Sequence, residues 1–426
     1  MRFQIDVMDT DVIELVNRFV EITGTEPWSR KFMVLRHQRN ENPFLADWQV
    51  EHHGIELKFR QLIEEQERTG VFPVQITDYI HYQLYGFIAG IVRIYEQLSP
   101  SGQKRLRGMM LDGLKPDNNL LSVQHEILTV VHLVDRGFDV EMNDLENGSG
   151  VDFIARVDGL EFEVECKMFT GDLGRKIHRR KVLALHKHLS EMLTRAYGSA
   201  RSGLLVRITI PDRLNCSPDQ LRGIDATVSA ALEQGHSVTN SEHCEVGVVD
   251  FEIAESPFNV VGPNDVTKGA LADFVLTKLG RMNKELMILF SPGKRGLVAL
   301  VESAKPDEVL KGAYRQLREA AKGQFTKTRP GILSVQFRDL TAEQMESIAR
   351  SNTTERLKAT GLQIMTSDFL ASENRKHIHT VAYRSHGRLM SQKESGPNSI
   401  RERGLAYYIR NPSNLYFDDP RSRAFG

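Results

Sequence analysis

The chain is poor in cysteine: it has three, Cys166, Cys216 and Cys244. The count is odd and none stands in a CxxC pair, which argues against a disulfide framework or a zinc knuckle and points to a reducing cytoplasm. Net charge is nearly absent, at −1 from 55 Lys and Arg against 56 Asp and Glu. The protein is no polycation, so any contact with nucleic acid has to come from a local patch. A long unbroken apolar run is also missing. The most apolar stretch, Ile76 to Leu98, is interrupted by Asp78, His81, Gln83, Arg93 and Glu96. That favours a buried helix over a membrane span, and no membrane partner is expected. The opening MRFQIDVMDTDVIELV lacks the basic-then-apolar layout of a secretion signal. There is no internal repeat, and Gly171-x-x-Gly174-Arg-Lys lacks the spacing and the Ser/Thr of a phosphate loop.

What is present is an ordinary globular mix, 40% hydrophobic and 26% charged over 426 residues. That is enough chain for two or three domains. The first 112 residues read as mostly helical. Asp11 is placed to cap a helix through Phe19, Gly54–Gln66 is a second, and Thr77 or Asp78 opens a third. No chemistry is legible there; scaffold, dimer surface and partner recognition remain the roles on offer. The Gly, Pro and paired Asn of Asp112–Asn119 mark a boundary. Beyond it, a helix from Ser122 puts Val123, Ile127, Val130, Val131 and Val134 on one side and stops at Gly137. Phe138–Met142 alternates like a strand and Asn143–Gly150 reads as a loop. Val151–Val157 and Leu160–Met168 read as strands joined at Asp158–Gly159, a hairpin signal. A helix lies within Leu173–Tyr197. Strands at Gly203–Ile210, Cys244–Ile253, Leu286–Phe290, Leu297–Glu302 and Ile332–Phe337, with a helix at Asp307–Gly323, continue a mixed α/β pattern. Past His386 the chain is rich in Arg, Ser, Asn, Gly and Pro and reads as a loosely ordered or partner-ordered arm. The expected domains are 1–118, 119–345 and 346–426.

The chemistry gathers in one string, Gly150-Val-Asp152-Phe … Glu163-Val-Glu165-Cys-Lys167. Alternation puts Glu163, Glu165 and Lys167 on one face of their strand, and the tight turn brings Asp152 toward that face. Glu126, on the preceding helix, is within reach of the same place. Magnesium takes oxygen ligands and keeps several waters, so one or two carboxylates and a substrate phosphate make a site. A lysine beside it can orient the attacking water or stabilise developing negative charge, and neighbouring carboxylates keep it protonated.

This arrangement resembles the PD-(D/E)xK nuclease superfamily, over roughly residues 121–197. The proline of the family's name is missing, since Val151 precedes Asp152. The resemblance implies an α/β fold: a restriction-endonuclease-like mixed β-sheet core flanked by helices, here with an N-terminal helical domain. It implies a metal site of Asp152, Glu165 and Glu126 holding Mg²⁺ or Mn²⁺, with Lys167 as the fourth catalytic residue. It further implies hydrolysis of DNA ahead of RNA, in restriction, repair or phage defence. Symmetric cutting of a duplex would favour a homodimer.

Against this stands a plain β-hairpin whose charges face solvent. Two further rivals are a nuclease fold that binds nucleic acid or a protein partner without cutting, and an interaction protein worked by its N-terminal helices. The segment Arg175–His188 holds six Lys or Arg and three His with no acid. Arg175, Lys176, Arg179 and Arg180 are therefore candidates for phosphate contacts, with a solvated basic face as the alternative. A second ExK triplet, Glu56-Leu57-Lys58, reads as a solvated helix face. The pairs His186/His188 and His377/His379 lack a third ligand and default to ordinary histidines. Tyr314 and Gln316 read as packing, and Cys166 as a core cysteine.

Overall fold

The computed structural model describes residues 11–72, 79–148, 150–199, 203–235, 238–251, 284–291, 295–338, 361–384, 388–390, 399–401 and 405–409. The chain divides into two compact units. One comprises Met1–Glu41, Ala46–Gly171 and Leu310–Gly426; the other comprises Asn42–Leu45 and Asp172–Val309. The divisions fall at 171/172 and 309/310, not at the composition shifts near 118 and 345. The reason is visible in the core, where the first helices and the following sheet bury one continuous set of side chains. The turn residues of Asp112–Asn119 join two helices of the same unit.

Among the described residues, the first unit opens with seven helices: α1 (Val12–Thr23), α2 (Glu26–Glu41), α3 (Leu45–His52), α4 (Gly54–Thr69), α5 (Tyr79–Gln97), α6 (Pro100–Gly113) and α7 (Leu121–Asp135). Phe19, Trp28 and Phe59 make a fully buried aromatic group, with Trp28 and Phe59 centroids 4.3 Å apart. α5 buries Leu84, Phe87, Ile88, Ile91 and Val92, as its reading as a core helix requires. Its expected opening at Thr77 or Asp78 lies outside the described residues. Asp11 precedes α1 without a side-chain capping bond, and the helix runs on to Thr23. No described helix is long and apolar enough to cross a membrane.

Next come β1 (Asp139–Glu141), the short α8 (Asn143–Asn147), β2 (Phe153–Val157) and β3 (Leu160–Phe169). α8 replaces the loop expected at Asn143–Gly150. The β2–β3 connection is the expected two-residue hairpin: Asp158 and Gly159 have φ of 50° and 78°, and Val157 pairs with Leu160. Such a turn suits the twist of the strands, and it needs residues that accept positive φ.

The second unit supplies α9 (Arg179–Ser199), β4 (Gly203–Ile210), α10 (Pro218–Gln234), β5 (Val238–Asn240), β6 (Glu245–Phe251), β7 (Lys284–Ser291) and β8 (Arg295–Ser303). Its sheet runs β5-β6-β4-β8-β7, with β4 and β8 parallel and the other pairs antiparallel. Leu185, Leu189 and Leu193 of α9 and Val228 of α10 share a core with Val206, Ile208, Val246 and Ala299. The two ends of this unit are tied together. Glu308 N donates to Gly174 O at 2.8 Å, and Arg175 pairs with Glu285 at 2.6 Å and Asp307 at 3.4 Å. Gly174 has φ +71°, and a Cβ there would fall 2.4 Å from the Glu308 carbonyl oxygen.

The chain returns to the first unit through α11 (Val309–Gly323), followed by β9 (Gly331–Phe337), α12 (Gly361–Ala371), β10 (Ile378–Arg384), β11 (Arg388–Met390), β12 (Ser399–Arg401) and β13 (Leu405–Ile409). The first unit's sheet has the order β1-β2-β3-β9-β10-β13. β9 pairs in parallel with β3 on one side and β10 on the other, and the remaining pairs are antiparallel. Within the arm expected to be loosely ordered, β13 pairs with β10.

The loop that launches α7 is held from below by buried charge. Lys31, 1% exposed, donates from Nζ to the carbonyls of Lys115, Pro116 and Asn118 at 2.9, 3.0 and 2.5 Å. Glu56, expected on a solvated face, is buried and accepts from Leu120 N at 3.3 Å. Lys31→Ala strands these carbonyls and should cost about 2–4 kcal/mol in a urea melt. Arg60→Ala, which removes partly exposed ion pairs to Glu64 and Glu67, should cost under about 1 kcal/mol.

Candidate active site

β3 is an interior strand, with β2 on one side and β9 on the other. Phe162, Val164 and Cys166 point into the helical core. The opposite face is covered as well: Glu163 is 0% and Glu165 2% exposed. A hairpin with solvent-facing acids is therefore not what the chain forms. Glu163 is consumed structurally. Its carboxylate accepts from Thr326 N at 2.9 Å and from the Thr326 hydroxyl, with Arg329 3.8 Å away. It pins the turn between α11 and β9.

Two residues further along, the surroundings change because β2 has ended. Phe153 is the last β2 partner, opposite Val164. The Cys166 N–H, which needs an acceptor, takes Asp152 Oδ2 at 2.6 Å. Lys167 Nζ sits 2.6 Å from Glu165 Oε1. Glu126 arrives from the other face. α7 packs against the Cys166 side of the sheet, where His125 Nε2 lies 3.0 Å from Ser334 O and Thr129 meets the Ser334 hydroxyl. From there Glu126 feels the fields of Asp152 and Glu165. The four residues named from the sequence thus form one electrostatic group, with α7 packed on the Cys166 face rather than the acid face.

The group is short of positive charge. Burial first, then repulsion by Asp152 and Glu165, pushes the Glu126 carboxyl well above the usual range. Burial and Glu165 raise Asp152 to about 7. Burial also raises Glu165, against the pull of Lys167. For Lys167, burial works downward, and attraction to Glu165, Asp152 and Glu126 outweighs it, so the ammonium is held above its ordinary value. One carboxylate oxygen, Glu165 Oε2, is buried with no hydrogen-bond partner among the described residues. Glu126, Asp152 and Lys167 keep partial exposure, so the group has an open rim.

No protein-family model, curated protein or solved structure matches this chain.

The donor types are those a hard divalent cation takes: carboxylate oxygens, one of them without a hydrogen-bond partner among the described residues. The carboxylates are nevertheless turned to protein donors. Among the described residues no three of His, Cys, Asp or Glu already converge as a cage. Sequence reasoning missed Asp144, on α8, whose field raises Asp152, Glu126 and Glu165 alike. Nothing in the polar stretch NDLENGSG singles it out.

The other candidates separate from this group. Arg175 and Lys176 are spent on ion pairs inside the second unit, Lys176 lying 3.3 Å from Asp212 and 3.9 Å from Glu308. The backbone of Arg179 is capped by Asp172 at 2.9 Å, and Arg180 is exposed. His377 contacts Ala321 O at 3.0 Å and His379 the Thr380 hydroxyl at 2.9 Å, and His186 is pushed down to about 3 by burial. Tyr314 takes a bond from Arg375 at 3.2 Å. Cys166 is a buried thiol raised by burial and the adjacent acids.

Raised carboxyl pKa values carry a definite sign. The folded state holds these protons more tightly than the unfolded chain does. Their contribution is therefore full below the ordinary value of 3.8 and is lost as pH rises through about 7. Without divalent cations, thermal stability should fall between pH 5 and pH 8, and Asp152→Asn should flatten that fall. Added Mg²⁺ should raise the melting temperature more at pH 8 than at pH 5. A metal-free melting temperature that is flat or rising over this range would contradict the clustered burial.

Proposed function

We propose that the chain is a metal-dependent nuclease that hydrolyses phosphodiester bonds, in DNA ahead of RNA, at Glu126, Asp152, Glu165 and Lys167. The observation that supports this reading is the convergence of Asp152, Glu165 and Lys167 on one stretch of β3: Asp152 Oδ2 lies 2.6 Å from Cys166 N, Lys167 Nζ 2.6 Å from Glu165 Oε1, and Glu165 Oε2 is buried with no hydrogen-bond partner among the described residues. Such strained charge is costly to a fold and concentrates where chemistry is done. Asp152 and Glu165 would hold Mg²⁺ or Mn²⁺, with Glu126 assisting from α7. A cation bound there lowers the pKa of a water and offsets charge on the phosphate. Lys167, kept protonated by its neighbours, would orient that water and stabilise the extra charge of the transition state.

The resemblance is supported by the order helix α7, strand β1, short helix α8, Asp152 at the approach to β2, hairpin, and ExK strand β3. The next helix in sequence, α9, belongs to the second unit. A place in restriction, repair or phage defence follows from the resemblance alone.

A second reading, a module that binds nucleic acid or a protein partner without cutting it, is favoured by one observation. Asp152 and Glu165 are each engaged by a donor of the chain itself. The test is cleavage of labelled plasmid, linear duplex, single-stranded DNA and RNA with Mg²⁺, Mn²⁺ or EDTA. Cutting should require metal and fall about a hundredfold or more in Asp152→Ala, Glu165→Ala and Lys167→Ala. Metal binding with no cutting of any substrate would establish the second reading; cutting that survives the substitutions would move the active site elsewhere.

A further inference from the structure

α11 carries a regular basic stripe. Lys311, Arg315, Arg318 and Lys322 recur at intervals of four, three and four residues, which sets these exposed side chains on one face of the helix. Ala313, Leu317 and Ala320 are buried on the other. Several exposed helix arginines of this chain are answered by an acid one turn away: Arg18 by Glu21 at 2.7 Å, Arg68 by Glu65 at 3.2 Å and Arg222 by Asp219 at 3.4 Å. Arg315, Arg318 and Lys322 make no ion pair among the described residues, although Glu319 stands within about a turn of each. α11 runs into the turn that Glu163 holds through Thr326, and on into β9, the parallel neighbour of β3. The stripe therefore belongs to the unit that carries the candidate site.

Beside the stripe lies a cleft of about 350 Å³ between α11 and α12, walled by Leu310, Tyr314, Ile364 and Met365, with Lys311 and the exposed Asp368. Lys311 is common to stripe and cleft, and Arg318 lies 5.9 Å from the centre of the Tyr314 ring. We propose that this surface holds a single strand of nucleic acid, its phosphates along Lys311, Arg315, Arg318 and Lys322 and one unstacked base in the cleft. The proposal deepens the reading above by naming the form of nucleic acid, and rests on it. At about 1.5 Å per residue the stripe is about 16 Å long, the rise of about five nucleotides. Cations along the backbone and an aromatic-walled slot for a base are a general means of holding a single strand, whereas a paired duplex offers no free base to the slot. Asp368 repels a phosphate and accepts from the amino group of a base, so the cleft suits the base and the stripe the backbone. No exposed residue of α11 is apolar, which excludes insertion of this face into a lipid surface.

The test is fluorescence anisotropy of the full-length chain with a labelled oligonucleotide and with its duplex. EDTA is present, so binding is read without cutting. Wild type should bind the strand more tightly than the duplex. The combined Arg315→Ala, Arg318→Ala and Lys322→Ala variant should bind the strand about tenfold or more less tightly, at an unchanged melting temperature. Its log affinity should fall less steeply with log salt, by about two, from three phosphate contacts at about 0.7 each. Arg222→Ala, which removes an exposed cation of the second unit, should leave binding unchanged. Ile364→Trp, which fills the cleft, should bring the strand down to the affinity of the duplex. Binding that survives the combined variant, an equal loss in Arg222→Ala, or a wild type without preference for the strand each overturns the proposal. Displacement of the strand by poly-glutamate of equal charge would make the stripe a surface for an acidic protein, and also overturns it. No binding in EDTA, with metal-dependent cutting intact, overturns this proposal alone. Binding as expected without cutting on any substrate leaves the surface standing and sinks the hydrolytic reading.

Discussion

The parallel pairing of β3 with β9 is the contact on which the first unit rests. It joins Glu163 to Gly331 and Phe169 to Phe337 across a long stretch of intervening chain. Closing such a loop costs little more than closing a shorter one, about 0.6 kcal/mol per doubling of its length, and less when the excursion folds by itself. In return β3 becomes an interior strand. From Phe162 to Cys166 its side chains on both faces then have to be reconciled with burial.

That requirement sorts the acids of β3. Glu163 finds an N–H, a hydroxyl and an arginine nearby and becomes an anchor. Glu165 finds Lys167 and the Asp152 backbone, and keeps one oxygen without a hydrogen-bond partner among the described residues. The difference lies in where β2 stops. Beyond Phe153 β2 no longer pairs with β3; Asp152, just before β2, accepts from the Cys166 N–H, and Glu126 on α7 and Asp144 on α8 add their fields. The site is thus a consequence of strand lengths as much as of residue identity.

The sequence made the local parts legible. The Asp158–Gly159 turn, the alternation along β3 and the Glu165–Lys167 spacing are all short-range signals, and the Asp152 neighbourhood followed from them. The α/β class was legible for the same reason. What escaped depends on distant chain. Period-two alternation looks the same whether one face of a strand is wet or both are dry, so the burial of Glu163 by Thr326 was invisible. Glu56 repeats the ExK spacing, but its environment is set by Leu120. The polar turn at 112–119 has the composition of a linker and joins two helices packed in one core. Asp144 carries no periodic mark at all.

The hydrogen bond between Gly174 and Glu308 has a consequence for inheritance. A segment whose two ends are clasped behaves, for the sheet it interrupts, like a turn of ordinary width. Residues between the clasp can drift, lengthen or be exchanged for another folded cassette while β3 and β9 keep their register. Besides the clasp, Asn42–Leu45 records the segment's identity, through Asn42 Nδ2 on the Leu183 carbonyl at 3.0 Å. Lineages of this chain should therefore differ most where the second unit lies, and co-vary with it at those four positions.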